Sequence, residues 1–175
     1  DIIGLSFTNT PDDVRELRDR LQELEAEDVG VVFKIETRRG FENLPAILLE
    51  ALKFPACGVM IARGDLAAEC GFERMAELQE EILWICESAH VPVVWATQVL
   101  EGLTKRGHAT RAEITDAAMG QSAECVMLNK GPYVADALQT LNDILQRMQD
   151  HQTKKRSMLR KLSLAADFTA TRQES

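Results

Sequence analysis

Charged and hydroxyl side chains stand at the ends of three apolar runs of this 175-residue chain, where their types and spacing could do chemistry. They are Lys34 and Glu36, Arg63 with Gly64 and Asp65, and Thr97. A charge that emerges from an apolar strand must be paired or bound to a ligand, because an unpaired buried charge is costly. Ordinary turns would place glycine, asparagine, serine or proline there instead. The residue types therefore favour a binding or catalytic site.

Lys34 and Glu36 are separated by one residue on a predicted strand, so their side chains leave the same face. They could form a structural ion pair, or a catalytic cation beside a metal ligand. Asp65 ends the next apolar run, and with Glu36 it would supply two carboxylate ligands from adjacent strands. Mg²⁺ often binds through one or two carboxylates plus substrate oxygens and water, and Mn²⁺ could replace it.

The segment after Arg63 could bind an anion. Gly64 and Asp65 precede residues 66–69, which could begin a helical turn, and exposed amides there favour a carboxylate or phosphate. Gly64 permits close approach to the backbone. Arg-Gly-Asp alone is a weak signal, and its position after a buried strand excludes a cell-adhesion motif. The hydroxyl of Thr97 could face the same site, although helix capping explains it equally well.

Five apolar runs alternate with helical patterns along the chain. The runs cover residues 2–7, 30–35, 57–62, 92–96 and 125–128, and their near-continuous hydrophobicity is typical of strands buried on both faces. Apolar residues at three-to-four spacing predict helices over 14–24, 75–85 and 134–148, and shorter helices fit 44–52 and 111–121. Thr10 and Thr110 have the spacing of helix N-caps. The order indicates an α/β fold of five βα units around a parallel sheet, whose carboxyl ends gather the polar residues.

Composition and charge limit the classes of function. The chain is 45% hydrophobic and 27% charged, with a net charge of -8. No apolar run approaches the roughly 20 residues of a membrane-spanning helix, so we expect no membrane partner. Residues 1–150 are strongly acidic, which argues against nucleic acid as a partner, whereas residues 151–175 carry six basic and two acidic side chains. We therefore divide the chain into a domain at 1–150 and a basic terminal helix or tail at 151–175.

The four cysteines lack the spacing of a zinc site or of a disulfide framework. Cys57 and Cys125 lie in apolar runs, and Cys86 lies on an apolar helical face. We therefore expect buried, reduced thiols and a cytoplasmic protein.

Four segments of the chain resemble pyruvate kinases, in order and at that family's spacing. They are Lys34-Ile35-Glu36, Ala62-Arg63-Gly64-Asp65-Leu66, Ala96-Thr97-Gln98-Val99-Leu100-Glu101 and Thr110-Arg111-Ala112-Glu113-Ile114-Thr115-Asp116. Ser6-Phe7 and Met127-Leu128 extend the resemblance, which spans about residues 1–150. It implies a partial (β/α)8 TIM barrel, in which this chain holds strands four to eight.

The resemblance also implies roles for individual residues. Lys34 corresponds to the lysine that stabilises the enolate during phosphoryl transfer, and Glu36 and Asp65 correspond to the metal ligands. The amides of Gly64 and Asp65 correspond to the cradle of the substrate carboxylate, and Thr97 lies beside it as a second catalytic candidate.

The implied reaction transfers phosphate from phosphoenolpyruvate to ADP and yields pyruvate and ATP, with Mg²⁺ or Mn²⁺ as cofactor. Arg63, in the same motif, is the third catalytic candidate. ADP, ATP and K⁺ would bind only with the N-terminal part of the family's barrel, so we expect the isolated chain to be inactive. Five βα units cannot close an eight-stranded barrel, so the missing strands would come from a longer product, a homo-oligomer or a complementing chain. The open edges would lie at residues 1–7 and 125–128.

Two segments depart from the family pattern. Thr37-Arg38-Arg39-Gly40 adds two cations where the family has asparagine and an acidic–glycine pair, and Asn129-Lys130-Gly131-Pro132-Tyr133 replaces Ser-Gly-Glu-Thr-Ala. The second change removes a carboxylate and hydroxyls, which favours the alternative of a non-catalytic pyruvate kinase-like pseudoenzyme or regulatory binder. A Mg²⁺-dependent lyase of the wider phosphoenolpyruvate/pyruvate barrels is a third interpretation, against which the Ala-Thr-Gln and Thr-Arg-Ala-Glu segments speak.

Overall fold

The computed structural model describes the backbone of residues 1–156 and the side chains of residues 1–149. The strands are β1 (Ile2–Leu5), β2 (Gly30–Ile35), β3 (Cys57–Ala62), β4 (Val93–Ala96) and β5 (Cys125–Val126). The helices are α1 (Pro11–Glu23), α2 (Arg38–Glu42), α3 (Leu44–Ala51), α4 (Arg63–Cys70), α5 (Met75–Ser88), α6 (Glu101–Arg106), α7 (Arg111–Met119) and α8 (Val134–Arg156). Short 3-10 turns occupy Phe72–Arg74 and Gly120–Ser122.

The five strands form one parallel sheet in the order β1-β2-β3-β4-β5, which confirms the predicted succession of βα units. Each strand pairs with the next one along the chain; for example, Ile35 lies opposite Ile61, and Ile61 lies opposite Trp95. All carboxyl ends therefore meet at one edge of the sheet. That edge carries the polar residues singled out from the sequence.

The main core lies between the sheet and the helices. Ile35, Ile61 and Trp95 share a row across the three central strands and are fully buried on the side that faces the helices. Lys34 and Met60 are paired one position earlier, so they lie on the opposite face and are only half-buried. The alternation of strand residues thus separates an apolar helix-facing layer from a face that carries chemistry.

Local capping explains where two helices begin. The side chain of Thr10 accepts a hydrogen bond from the Asp13 amide, and Asp13 Oδ2 accepts one from the Thr10 amide at 2.8 Å. Thr110 and Glu113 make the same reciprocal arrangement before α7. Both predicted N-caps are confirmed, and each satisfies amides that the first helical turn leaves without partners.

Glu113 also joins two helices, because its Oε1 accepts a hydrogen bond from the Gly102 amide in α6. Burial acts to raise the pKa of Glu113, but hydrogen bonds from the Thr110 and Gly102 amides outweigh it and hold the pKa below its usual value. A carboxyl whose pKa is lowered by folding stabilises the fold above its unfolded pKa of about 4.3, and that contribution is lost as the pH falls through the folded value.

Glutamine keeps only one of the two acceptor oxygens of Glu113, so Glu113→Gln should reduce the free energy of unfolding at pH 7 by about 1 kcal/mol, the size of one lost hydrogen bond. The difference from the unmodified chain should shrink as the pH falls below the unfolded pKa of about 4.3, because the stabilisation by the ionised carboxylate is then progressively lost. Urea unfolding at pH 7 and pH 3.5 measures both values. Glu81→Gln, an exposed glutamate in the middle of α5, is the control and should change stability little at either pH. A Glu113→Gln deficit that stays constant down to pH 3.5 would contradict the assignment.

Both edge strands differ from the prediction of burial on two faces. The residues of β1 are exposed or half-exposed, and β5 has only two residues, because each strand has a neighbour on one side only within the described sheet. Ser6 and Phe7 lie in a turn after β1 rather than in the strand, and Phe7 has a left-handed backbone with φ of 52°. The first and last apolar runs are therefore shorter strands than their sequences predicted.

Cysteine burial was predicted correctly for Cys86, in part for Cys57 and wrongly for Cys125. Cys86 is buried, and desolvation together with the nearby Glu124 carboxylate raises its pKa to about 12. Burial also raises the pKa of Cys57, which is partly exposed. Cys125 is exposed because β5 is an edge strand. The four cysteines are free thiols.

The sequence patterns missed α2 and α6, which have only five and six residues. In α8 the predicted apolar stripe is only partly buried, since Leu141 is buried whereas Val134 and Leu138 are exposed, and the buried Ala137 lies outside that stripe. This helix continues across residue 150, where the sequence suggested a boundary, and ends its described part at Arg156. The rest of the predicted basic tail, 157–175, lies outside the described residues. None of the helices in the described part of the chain has the length and apolar composition needed to cross a membrane.

Candidate functional site

Lys34 is held at the carboxyl edge of the sheet by two polar groups. Its Nζ donates a hydrogen bond to Ser6 Oγ at 2.9 Å and lies 2.7 Å from Glu36 Oε1. The lysine side chain is 29% exposed, whereas that of Glu36 is 2% exposed. The ion pair that the sequence offered as one alternative is therefore present, and it presents a partly accessible ammonium group above a buried carboxylate.

Glu36 Oε1 has a charged neighbour but no aligned hydrogen bond. The Lys34 ammonium group lies 2.7 Å from it as an ion-pair partner, and the described structure gives this buried oxygen no hydrogen-bond donor. A buried carboxylate oxygen in that state can accept a second cation. Hard oxygen ligands of this kind suit Mg²⁺ or Mn²⁺.

Asp65, the other predicted metal ligand, is exposed in the first turn of α4. Within the described part of the chain, His, Cys, Asp and Glu side chains do not gather in groups of three or more that could enclose a metal ion. A protein cage is therefore not formed by these residues. The donor set fits the other mode of Mg²⁺ binding, in which one or two carboxylates act with substrate oxygens and water.

Thr97 connects the end of β4 to the start of α4. Its Oγ1 accepts a hydrogen bond from the Gly64 amide at 2.8 Å, whereas Ala62, the residue before α4, supplies no capping side chain. Thr97 therefore caps the helix that follows the neighbouring strand. A methyl group added at Gly64 would lie 3.6 Å from Thr97 Oγ1, which is an ordinary contact. The nearest described atoms thus leave room for a side chain at Gly64.

Arg63 makes a different set of contacts from Lys34. Its Nε donates to the Ala96 carbonyl at 2.9 Å and its Nη2 donates to the Thr97 carbonyl at 2.6 Å. Its Nη1 pairs with Asp116 in α7, and its guanidinium lies 4.6 Å from the centre of the Trp95 ring. Because Trp95 belongs to the helix-facing row, these contacts place the Arg63 guanidinium behind the sheet, away from the face of Lys34.

A second network ties the loop after β1 to the loop after β2. Thr37 Oγ1 donates to Asn9 Oδ1 and accepts from the Gly40 amide at 2.9 Å. Asn43 Nδ2 donates to the Asn9 carbonyl at 2.9 Å. A Cβ at Gly40 would lie only 2.5 Å from the Thr8 carbonyl oxygen, so the two loops are in close backbone contact. This network fixes the loop that carries Ser6 against the strand that carries Lys34 and Glu36.

The two segments that depart from the family pattern occupy different places. Arg38 and Arg39 are exposed at the start of α2, near the carboxyl edge. The Asn129–Tyr133 segment instead packs on α6: the Tyr133 amide donates to the Thr104 carbonyl at 3.1 Å, and a Cβ at Gly131 would lie 2.2 Å from that oxygen. The replacement segment is thus a close-packed turn with an exposed Lys130.

Sequence reasoning gave no role to Asp116, Asn9 or Thr37, all of which make hydrogen bonds that arrange the site's surroundings. Asp116 belongs to the Thr110–Asp116 segment, whose spacing assigns it no role of its own. A buried arginine requires an acidic or carbonyl partner, which is the signal that could have prompted a search for one. Nothing in the local spacing of Arg63 and Asp116, 53 residues apart, identifies them as a pair.

Comparisons with known proteins identify the family to which the chain is similar. A family model described as the barrel domain of pyruvate kinase matches residues 1–137. The chain is 35% identical over 156 residues to a pyruvate kinase of Bacillus licheniformis, covering 86% of this chain and 26% of that protein. It is 35% identical over 155 residues to a pyruvate kinase of Methanocaldococcus jannaschii, covering 85% and 33%. It is 39% identical over 132 residues to the plastidial pyruvate kinase 3, chloroplastic, of Arabidopsis thaliana, covering 74% and 22%.

The matched region therefore makes up about a quarter to a third of most of the curated relatives. The five-stranded parallel sheet fits part of a TIM barrel, as the family match requires. From the extent of the family match, this chain belongs to the pyruvate kinase family.

Proposed function

We propose that this chain forms the phosphoenolpyruvate- and Mg²⁺-binding part of a phosphotransferase that converts phosphoenolpyruvate and ADP to pyruvate and ATP. The observation that carries the proposal is the position of Lys34, whose ammonium group is held between Ser6 and the buried Glu36 at the carboxyl edge of a parallel sheet. Such edges are where parallel α/β folds place their sites. A fixed cation there is suited to stabilising negative charge that develops during a reaction.

Each site residue has a proposed role. Lys34 stabilises the enolate oxygen. Glu36 and Asp65 would bind Mg²⁺ or Mn²⁺, and the bound ion would neutralise the negative charge of the phosphate. The amides of Gly64 and Asp65 orient the substrate carboxylate, which shares the Gly64 amide with the Thr97 hydroxyl beside it. Support for the Gly64 role comes from the room around it, because the described packing leaves a methyl group tolerable there. Absence of a side chain at that point keeps the backbone open to a ligand.

The proposal divides the reaction between this chain and the rest of a barrel. The matched region makes up about a quarter to a third of these relatives. ADP, ATP and K⁺ would bind to barrel strands outside that region. We expect the isolated chain to show no kinase turnover, because the sheet formed by the described residues is open at β1 and β5. A homo-oligomer or a complementing chain could supply further strands at those edges. The four free thiols support a reducing, cytoplasmic setting.

A second candidate is a non-catalytic pyruvate kinase-like binder or regulatory pseudoenzyme. The observation in its favour is the Asn129–Tyr133 turn, which packs against Thr104 and places no carboxylate after β5. Such a protein would still bind phosphoenolpyruvate with a divalent cation. Loss of phosphoryl transfer with retention of that binding distinguishes it from the first candidate.

The binding half of the proposal is tested with Mn²⁺ as a paramagnetic probe. Free Mn²⁺ is measured by electron paramagnetic resonance while the chain is titrated with and without phosphoenolpyruvate. We expect phosphoenolpyruvate to increase Mn²⁺ retention, Glu36→Gln to abolish that increase, and Gly64→Ala to weaken it without lowering the urea midpoint of unfolding. Asp19→Asn, an exposed residue of α1, is the control and should retain Mn²⁺ normally. Equal Mn²⁺ retention by the original chain and by Glu36→Gln would refute the proposed metal role.

A further inference from the structure

The backbone at the end of β4 is held in an unusual conformation. Thr97, Gln98 and Leu100 have positive φ angles of 64°, 58° and 45°. Left-handed backbone costs a residue with a side chain roughly 1–2 kcal/mol, so three such residues in a four-residue stretch persist only where surrounding contacts impose them. The strained stretch begins at the residue whose hydroxyl meets the Gly64 amide.

Arg63 contacts the carbonyls on both sides of the first of these residues, Thr97. Two neighbouring nitrogens of the guanidinium, Nε and Nη2, donate to two consecutive carbonyls, those of Ala96 and Thr97. A planar guanidinium fixes the directions of its hydrogen bonds, so this double contact sets the orientation of both peptide groups. The Arg63 side chain is 8% exposed, which limits competition from water.

Asp116 and Trp95 in turn fix Arg63. The Asp116 carboxylate pairs with Nη1, and the ring of Trp95 lies under the guanidinium at 4.6 Å. Asp116 belongs to α7, in the helix layer. Its pairing with Arg63 lies behind the sheet and not on the face that carries Lys34. It is the acidic partner that the described structure gives to Arg63.

We infer that Asp116 is a positioning residue that acts through Arg63 to fix the left-handed backbone of Thr97 and so to aim the Thr97 hydroxyl at the Gly64 amide. Arg63, grouped from sequence with the catalytic candidates, is on this inference also a positioning residue. Only the use of the Gly64–Thr97 edge for an anionic substrate rests on the proposed function. The coupling from Asp116 to Gly64 is a property of the chain itself.

Hydrogen exchange of the Gly64 amide, followed by NMR on the 175-residue chain, tests this coupling. Thr97→Val removes the acceptor and sets the reference effect. We expect Asp116→Asn to accelerate Gly64 exchange about tenfold, as loss of one hydrogen bond predicts. The Val59 amide, which donates to the Pro92 carbonyl, is the internal control. Its exchange rate should change much less than that of Gly64 in Asp116→Asn. Asp116→Glu, which keeps a carboxylate, should recover part of the protection, and Asp19→Asn should change neither amide.

Two results would overturn the inference. One is unchanged Gly64 exchange in Asp116→Asn beside accelerated exchange in Thr97→Val. The other is equal acceleration of Gly64 and Val59, which would make Asp116 a general stabiliser. If Asp116→Asn does not fold, Arg63→Lys replaces it. Lysine keeps the positive charge beside Asp116 but cannot donate to both the Ala96 and the Thr97 carbonyl. Its Gly64 exchange rate is then compared with those of Thr97→Val and of the Val59 amide.

Phosphoenolpyruvate-dependent Mn²⁺ retention is measured on the same variants. Failure of the original chain to retain Mn²⁺ would count against the proposed function and leave the exchange result standing on its own. Retention that weakens alike in Asp116→Asn and Thr97→Val, but not in Asp19→Asn, would show that the positioned hydroxyl serves the ligand.

Discussion

Replacing Lys34 with methionine should lower phosphoryl transfer by about 10²–10³-fold, the usual effect of removing one group that stabilises developing negative charge. The assay uses a chimera in which residues 1–137 of this chain replace the matching segment of the Bacillus licheniformis pyruvate kinase. The chimera supplies the remaining barrel strands. Methionine keeps most of the apolar stem of lysine and removes only its charge and its hydrogen bond to Ser6.

The same replacement leaves the Glu36 carboxylate buried without its cation. Removing one partner of a fully buried pair costs about 3–5 kcal/mol, and the partial exposure of Lys34 makes a smaller loss of stability the expected result. Rates must therefore be compared at a temperature where urea titration shows both proteins folded. Lys53→Met, at an exposed lysine paired with Glu50, is the matched control and should leave transfer unchanged. Transfer by Lys34→Met within about twofold of the parent would contradict the proposed catalytic role, since such a change is far below the effect expected for a charge-stabilising group.

Replacing Trp95 with alanine should reduce the free energy of unfolding by about 3–5 kcal/mol, the range for deleting a large buried aromatic side chain. Trp95 is fully buried in the row that faces the helices, and its ring packs under Arg63 and near Gly120. The change would create a cavity and remove the cation–π contact together. Urea unfolding followed by circular dichroism measures the loss.

The chain provides a matched control in its other tryptophan. Trp84 lies on the outer side of α5 and is 63% exposed, so Trp84→Ala should change stability by no more than about 0.5 kcal/mol. If Trp95→Ala is too unstable to study, Trp95→Phe should show a smaller loss of the same sign. Equal losses for Trp84→Ala and Trp95→Ala would show that the helix-facing layer is not the main core.

Features that depend on residues close together in the sequence were predictable. The shared face of Lys34 and Glu36 follows from the two-residue period of a strand, and the structure shows the resulting ion pair. The capping arrangements of Thr10 and Thr110 follow from side chains three residues away. The order of the βα units followed from alternating apolar and helical patterns.

Features that depend on distant residues were not predictable in this way. Arg63 reaches Asp116 across 53 positions, and no period or cap signal links them. The left-handed backbone at Thr97 contradicts the preference of a β-branched residue, so only the surrounding contacts explain it. The exposure of Cys125 depends on which strands lie beside β5, because an apolar run has the same composition at the edge of a sheet as at its centre.

The order of the sheet has a consequence for how the chain folds. Ile2 pairs with Gly30 and Val94 pairs with Cys125, so every strand pairing closes a loop of only one βα unit. Loops of similar and moderate length carry similar entropic costs of closure, and folding rates fall as contacts become more distant in sequence. Folding can therefore nucleate at any adjacent pair of strands and grow outward one unit at a time. With β3 at the centre of the sheet, we expect the β2–β3 pair to be an effective nucleus and the final additions to occur at β1 and β5.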